Sequence, residues 1–466
     1  MTGLIEFAPP LTADRALAAV EQAVAACPAD EVEVTLLGRS GEYSRFAGER
    51  IHQPQDITEV SVSVKAIVNG HAARAATSSL DRVAETARRA GELAGGRTRL
   101  NAAAGSARVA AGQGENAAEP VPELSHEDTL AFDAGRRVAL IARAMHAAAE
   151  HGGRAAGMIG RAYTQIAVGT STGVRRHAVA TEASGSLTMA IDDGTAHWVD
   201  LHRSADALDA AGSIDRALQR ALAGRGRIEM PDGEFTVVLG PQAAGELIGF
   251  LDALGFSGEL AAAGVGVWAR QAGRRLVSEL VTVADDATSS YGLPIPFDFE
   301  GVSKRRVPFF AAGVVGEPVT DLATAAVLGR ESSGNAHIAR EEVPSPVAAN
   351  LVLQPGTDTE ESLIAGVERG VYVERFWYTR LVDRQASTIT GVSRDGCFLI
   401  RDGRLAEPVA TGRFTQSVLD FLASVDGVAD RVRSQPVMNV WNGSASAPAV
   451  RGHRFRFGSR PVGGAR

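Results

Sequence analysis

Residues 57–79 read ITEVSVSVKAIVNGHAARAATSS, and the fold class turns on how this stretch pairs. Val60, Val62 and Val64 alternate with Ser61, Ser63 and Lys65, the two-residue period of a strand with one buried face. Asn69-Gly70 comes next. A two-residue hairpin turn needs positive φ, which Asn and Gly adopt at least cost, so the spacing predicts a hairpin with HAARAAT as its returning strand. Upstream, VEVTLLGR (32–39) and EYSRFAGERI (42–51) are also strand-like. Helices bracket these runs: one over TADRALAAVEQAVAAC, opened by Thr12, and one over LDRVAETARRAGELA, capped by Ser79 and stopped at Gly95-Gly96. Strands in series with helices kept apart from them indicate an α+β unit with an antiparallel sheet.

Further along, residues 103–123 lack a hydrophobic period and read as a linker or long loop. Ser125-His-Glu-Asp128 has the form of a capping box and predicts a helix running to His151. Strands come next between Ala155 and Asp200, then a helix over about 205–223. The stretch 224–233, GRGRIEMPDG, is the predicted boundary. The expected architecture is α+β: an N-terminal α/β domain with an antiparallel sheet over residues 1–228 and a β-rich C-terminal domain over 229–466. Within the latter, ESLIAGVERG and QSVLDFLASVDGVADRV read as helices, and the closing NVWNGSASAPAVRGHRFRFG as strands and loops.

A chain of 466 residues with 45% hydrophobic content can bury sizeable cores. No apolar run approaches the roughly 20 residues of a membrane span. The opening MTGLIEFAPPLTADRAL has no basic stretch leading into an apolar core, so the expectation is no secretion signal, no membrane association and a cytoplasmic location. The formal net charge of -8 argues against a general nucleic-acid surface, which needs clustered cations. One cation cluster exists, Lys304-Arg305-Arg306, and it reads as a solvated loop or ion-pair partners rather than a phosphate site. Cys27 and Cys397 are too few and too far apart for a disulfide framework or a zinc knuckle, and are expected to be small core residues.

Several motif-like stretches fail on context. Gly169-Thr-Ser171-Thr-Gly173 fits a nucleophile elbow in letters, but the adjoining VRRHAVAT alternates like a strand, so a hairpin turn is predicted. Gly264-Val-Gly266 lacks a preceding parallel strand for a dinucleotide loop. His146 and His151 are five residues apart, about 140° around a regular helix, and cannot share a metal there. His197 and His202 have the same odd spacing in a strand-like region, which sends them to opposite faces. No His-Glu-x-x-His occurs.

Residues 240–258, GPQAAGELIGFLDALGFSG, come directly after a strand-like run, EFTVVLG. Pro241 suits the first helical position, where its missing N–H costs nothing. Ala244, Leu247, Ile248, Leu251 and Leu254 form one apolar stripe, with Gly255 placed for a left-handed ending. The other face carries Glu246, Gly249 and Asp252 and reads as structural. The densest polar group is Arg330 to His337. It can present hydroxyl, amide and imidazole groups to a peptide backbone, or close on itself as a run of turns. Arg330, Ser333, Asn335 and His337 are therefore candidate peptide-contacting residues.

Taken together, SRFAGERIHQP, ATSSLDRVAETARRA, GLPIPFDFEGVSKRRVPFFAAGVVGEPVTDLATAA, GRESSGNAH and NLVLQPGTDTEESLIAGVERGVYVERFW resemble the TldD/PmbA family of cytoplasmic metallopeptidases over nearly the whole chain. The resemblance implies a protease of two related subunits that takes unfolded or ribosomally made peptides into an enclosed cavity, with metal in one subunit only. The catalytic subunit's His-Glu-x-x-x-His element would fall on the 240–258 helix, its histidines near Gly249 and Leu254 and its glutamate at Phe250. None of these three can bind metal or act as a base. The family's cysteine ligand near the C-terminus has no counterpart in NVWNGSASAPAV, and Cys397 lies too early to replace it. The resemblance thus implies a TldE/PmbA-like subunit with no catalytic residue, metal ligand or cofactor of its own. Its expected partners are a TldD-like catalytic subunit, or a second copy of itself, and a peptide. The alternatives are a stand-alone peptide-binding homodimer and a metallopeptidase with atypical ligands.

Overall fold

The computed structural model describes residues 7–99, 108–110, 121–338, 344–438 and 440–458. Much of the linker-like stretch, residues 103–107 and 111–120, lies outside the described residues. The first helix, α1 (Ala13–Ala26), opens where expected, with Thr12 accepting a hydrogen bond from the Arg15 N–H. Then come β1 (Glu31–Ala47), β2 (Arg50–Val68) and β3 (His71–Thr77), with Asn69 and Gly70 at φ 49° and 76° in the hairpin turn. After α2 (Val83–Arg99), α3 (Glu127–Leu130) and α4 (Ala134–Ala149) come β4 (Arg154–Thr170), β5 (Arg175–Ile191) and β6 (Gly194–His202), and then α5 (Ala210–Ala223). The six strands form one antiparallel sheet in the order β3-β2-β1-β4-β5-β6.

Period two assigns the faces of this sheet. Val32, Val34 and Leu36 of β1 join Val20 of α1 and Ala87 and Ala90 of α2 in one core. The intervening residues turn the other way: Leu37, with Ile166 and Val168 of β4, packs on Ile295, Phe297 and Phe299 of the C-terminal half. The Thr35 hydroxyl donates to the Phe299 carbonyl at 2.7 Å across the same junction.

Four local expectations need correction. VEVTLLGR and EYSRFAGERI are not two strands, because β1 runs through Gly41, where a Cβ would meet the Tyr43 ring at 2.6 Å; that glycine makes room for a ring and does not break the strand. The turn comes later, at Gly48-Glu49, both at positive φ. Helix α2 continues past Gly95-Gly96, neither of which takes the left-handed conformation that ends a helix. The 125–151 segment is broken, because Asp128 is drawn off to the Ser204 hydroxyl (2.6 Å) and Asp206 N–H (2.8 Å), and Asp133 caps a new helix instead. The helix expected over QSVLDFLASVDGVADRV covers only Val418–Ala423, and Gly427–Pro436 is drawn into a strand by pairing along the last strand of the chain.

The second half contributes β7 (Gly233–Leu239), α6 (Pro241–Ile248), β8 (Val283–Asp285), β9 (Val307–Ala311), β10 (Val314–Val315), β11 (Ala336–Ile338) and β12 (Pro344–Pro346). Beyond these lie β13 (Asn350–Leu353), β14 (Arg369–Val373), β15 (Arg375–Asp383), β16 (Thr388–Arg394), β17 (Phe398–Arg401) and β18 (Arg404–Pro408). The last strands are β19 (Arg413–Ser417), β20 (Gly427–Pro436) and β21 (Ser444–Phe457). The larger sheet runs β10-β9-β8-β13-β21-β7-β14-β17-β18, with β15, β16, β19 and β20 branching from β21. β7 pairs parallel with β14 and antiparallel with β21, so the strand leading into α6 lies between two others. β11 and β12 form a separate two-stranded ladder. The molecule is mixed α/β, with an antiparallel sheet in the N-terminal part and a larger β-rich sheet in the C-terminal part. Among the described residues, no helix is long and apolar enough to cross a membrane.

A groove over helix α6 as the candidate functional site

Helix α6 ends at Ile248, short of the helix expected over 240–258, but the segment from Pro241 to Leu254 still separates apolar from polar. Ala244, Leu247, Ile248, Leu251 and Leu254 are all buried in the main core of the C-terminal half. The opposite face, including Glu246, Gly249, Phe250 and Asp252, forms the floor of a groove of about 910 Å³. Gly245 lets the floor come close to its neighbour, because a Cβ there would stand 2.9 Å from the Gln435 amide nitrogen. Past Gly249 the chain passes into a wider turn over Asp252–Phe256, and Gly255 at φ 131° lets it turn against Gly266 and Val267.

One wall of the groove is β15, which pairs only with β16 among the described strands and so leaves one edge free. A register shift between Trp377 and Arg380, with Tyr378 at φ 55°, marks a bulge. Bulges re-aim side chains at sheet edges, and here Trp377 and Tyr378 are exposed large aromatics. Arg375 and Arg394 flank the Trp377 ring at 5.1 and 5.4 Å, and Arg380 lies 5.4 Å from Tyr378. Arg375 is itself fixed by Asp395, its Nε donating at 2.9 Å. The other walls come from Gln435 to Met438, from Pro344 to Val347 and from His197 of β6.

The floor carboxyls are pushed toward their neutral forms. Burial, with repulsion from Asp285 added, raises Asp252 to about 7, and its Oδ1 has no hydrogen-bond partner among the described residues. Burial likewise raises Glu246, against the opposing pull of Thr379, Arg375 and Arg380. Burial and Arg375 lower His197 to about 3, so its ring is neutral, with Nδ1 2.9 Å from the Thr188 hydroxyl. A carboxyl that holds its proton can donate a hydrogen bond as well as accept one.

These residues do not fit a peptidase metal. A catalytic zinc takes three protein ligands, and among the described residues no three His, Cys, Asp or Glu side chains converge on one point. Gly249 and Phe250 line the groove without a donor atom, and Leu254 has turned into the core with no exposure. The other histidines are also placed apart: His146 pairs with Glu150 on an exposed helix end, and His197 and His202 lie on opposite faces of β6. Residues 169–173 span the end of β4 and the β4–β5 turn, with Gly173 at φ 100°.

The Arg330–His337 group is located elsewhere. Ser333, Asn335 and His337 are buried, and none of the four candidates lines the groove. The Ser333 hydroxyl accepts from Thr320 N–H at 2.7 Å and lies 2.8 Å from Asn335 Oδ1, while Asn335 Nδ2 donates to Asp285 at 2.6 Å. His337 bonds the Trp441 carbonyl through Nε2 and stacks on Phe299; burial first, then Lys304, lowers it to about 4. Arg330 is partly exposed beside Glu317 and Trp268. The three cations 304–306 each meet a carboxylate: Asp285, Glu317 and Asp286 respectively.

Sequence reasoning missed the groove aromatics. The adjacent pair Trp377-Tyr378 was a usable signal, since successive strand residues face opposite ways and two large aromatics there cannot both fill one core.

Residues 232–459 match the family described as the PmbA/TldA metallopeptidase C-terminal domain. A metalloprotease of Methanothermobacter thermautotrophicus is 32% identical over 208 residues, which is 44% of this chain and 44% of that protein. A metalloprotease TldD homologue of Buchnera aphidicola is 24% identical over 228 residues, 48% of this chain and 46% of the relative. These matches span less than half the length of the curated relatives. In fold the similarity is broader. The structure of TldE from Thermococcus kodakarensis superposes with a TM-score of 0.83 at 19% identity, covering 96% of this chain and all of that one. A Thermotoga maritima protein described as a putative modulator of a DNA gyrase gives 0.78 at 19% identity, over 92% of this chain and 96% of that one. In the sequence of its C-terminal half the chain matches the TldD/PmbA family, and it shares the fold of TldE-like structures along nearly its whole length.

Proposed function

We propose that this chain is the TldE-like, non-catalytic subunit of a cytoplasmic TldD/TldE-type metalloprotease, and that its groove completes the cavity in which unfolded or ribosomally made peptides are held. The observation that carries this reading is the groove over α6. It is walled on one side by the edge strand β15, yet at the positions of the family's metal-binding element it offers Gly249 and Phe250 in its lining and Leu254 behind it. The free edge of β15 can pair with a peptide main chain, and the exposed aromatics beside it can take apolar side chains, the arrangement by which sheet edges bind peptides with little dependence on sequence. The metal and the water it activates then belong to the partner, and this chain contributes alignment and exclusion of solvent. No nucleic-acid or membrane role is part of the proposal, in keeping with the net charge of -8.

Reconstitution tests it. The purified chain is mixed with a His-Glu-x-x-x-His relative from the same genome, and complex formation and cleavage of an unfolded peptide are measured. The expected result is a stable one-to-one complex, with chelator-sensitive cleavage by the pair and none by this chain alone. Cleavage by this chain alone would overturn the proposal.

A further inference from the structure

His197, Val199, Gln242 and Gln435 line the groove on one side and, on the other, a smaller cavity of about 90 Å³. That volume holds roughly three waters at ~30 Å³ each, about the size of a carboxylate and the carbon that bears it. Its walls bring together Arg216 and Arg220 of α5 with Arg433 of β20. Arg216 is held by Asp209 at 3.0 Å and Ser213 at 2.7 Å. Arg220 donates to Glu360 at 3.0 Å and lies 4.4 Å over the Tyr372 ring. Arg433 forms no ion pair or side-chain hydrogen bond among the described residues. Asp200 and Glu374 act on it only through space.

Two acids share the wall. Glu360 is taken up by Arg220. Glu374 accepts from the Tyr372 hydroxyl at 3.0 Å, and burial raises its carboxyl toward the neutral form despite Arg220. A small chamber walled by three guanidiniums, one of them without an ion-pair or side-chain hydrogen-bond partner among the described residues, suits a planar anion that takes two parallel hydrogen bonds.

We propose that this chamber receives a carboxylate of the peptide lying in the groove, with Arg433 as the receiving group. The inference rests on the peptide-groove reading and adds to it a fixed end and hence a direction for the bound chain. The carboxylate comes either from the peptide's C-terminus or from an acidic side chain.

The test uses the full chain and a fluorescein-labelled, otherwise uncharged eight-residue peptide in three forms: free acid, C-terminal amide, and amide with one internal glutamate. Binding is read by anisotropy. The free acid is expected to bind the unaltered chain about ten- to a hundredfold more tightly than the plain amide, the range for a charged hydrogen-bonded pair. Arg433→Met should remove that difference, and Arg433→Lys should keep part of it. If the glutamate-bearing amide recovers the tight binding, the side chain is a competent source; if it does not, the terminus is the ligand. Equal binding of acid and amide to the unaltered chain would overturn the chamber while leaving the groove reading in place. Absence of binding by all three forms would remove both.

Discussion

At the residue scale, the charged groups sort into those neutralised by partners and those neutralised by protons. Asp285 is the first kind. Burial alone would raise it, but Lys304 at 3.0 Å, the Ala349 and Asn350 amides and Asn335 together hold it below its ordinary value. Lys304→Met leaves that carboxylate buried without its cation, and the expected loss is about 3–5 kcal/mol in urea unfolding at pH 7. Asp252 is the second kind, raised from 3.8 to about 7. It binds its proton more tightly folded than unfolded, so unfolding releases a proton between those two values and stability falls as pH rises through that window. Asp252→Asn removes the penalty. The variant should match the parent at pH 4 and exceed it at pH 8 by about 1–3 kcal/mol, a range that allows for solvent reaching the groove. Melting curves at the two pH values check this, and a variant less stable at pH 8 would contradict the assignment.

Among the elements, α6 is the one whose two faces have separate duties, packing below and groove above. That division gives a clean test. Gly249 has ordinary helical φ and ψ (-58°, -19°), and a Cβ there meets only the helix's own carbonyls, at 3.2 Å or more. Gly249→Trp should therefore fill the groove with a melting temperature within a few degrees of the parent, while peptide binding falls at least tenfold, about 1.4 kcal/mol. Retained binding would place the peptide elsewhere. Part of this fold could be read from the sequence. The Thr12 cap, the Asn69-Gly70 hairpin and the two faces of α6 are set by local chemistry. The course of β1 through Gly41, the break before Asp133 and the strand at Gly427–Pro436 are not, because each depends on packing or a partner beyond its own segment: the Tyr43 ring against the sheet, Ser204 and Asp206, and β21. The site was legible only in part for the same reason. Glu246, Gly249 and Asp252 were visible as a polar face, but the groove above them exists only once β15, residues 435–438 and Val440 close over it. Conversely, Arg330 to His337 is polar in sequence without lining that groove, since Ser333 and Asn335 instead satisfy buried backbone and Asp285.

For the whole molecule, the groove lies where the two halves meet, with His197 and Val199 from the first sheet and α6, β15 and β20 from the second. The halves are joined by the apolar contact of Leu37, Ile166 and Val168 with Phe297 and Phe299, and by Lys65 bridging Glu33 and Glu300. A peptide site so built needs both sheets in place but requires no catalytic group from this chain. The central claim, a subunit that holds peptide while a partner cleaves it, is tested most directly by purifying the chain from its native host under mild conditions and determining its metal content and co-purifying proteins together. The expected result is a metal-free chain bound to a relative that carries His-Glu-x-x-x-His. A chain recovered alone, with about one metal per molecule and able to cleave peptides, would contradict it.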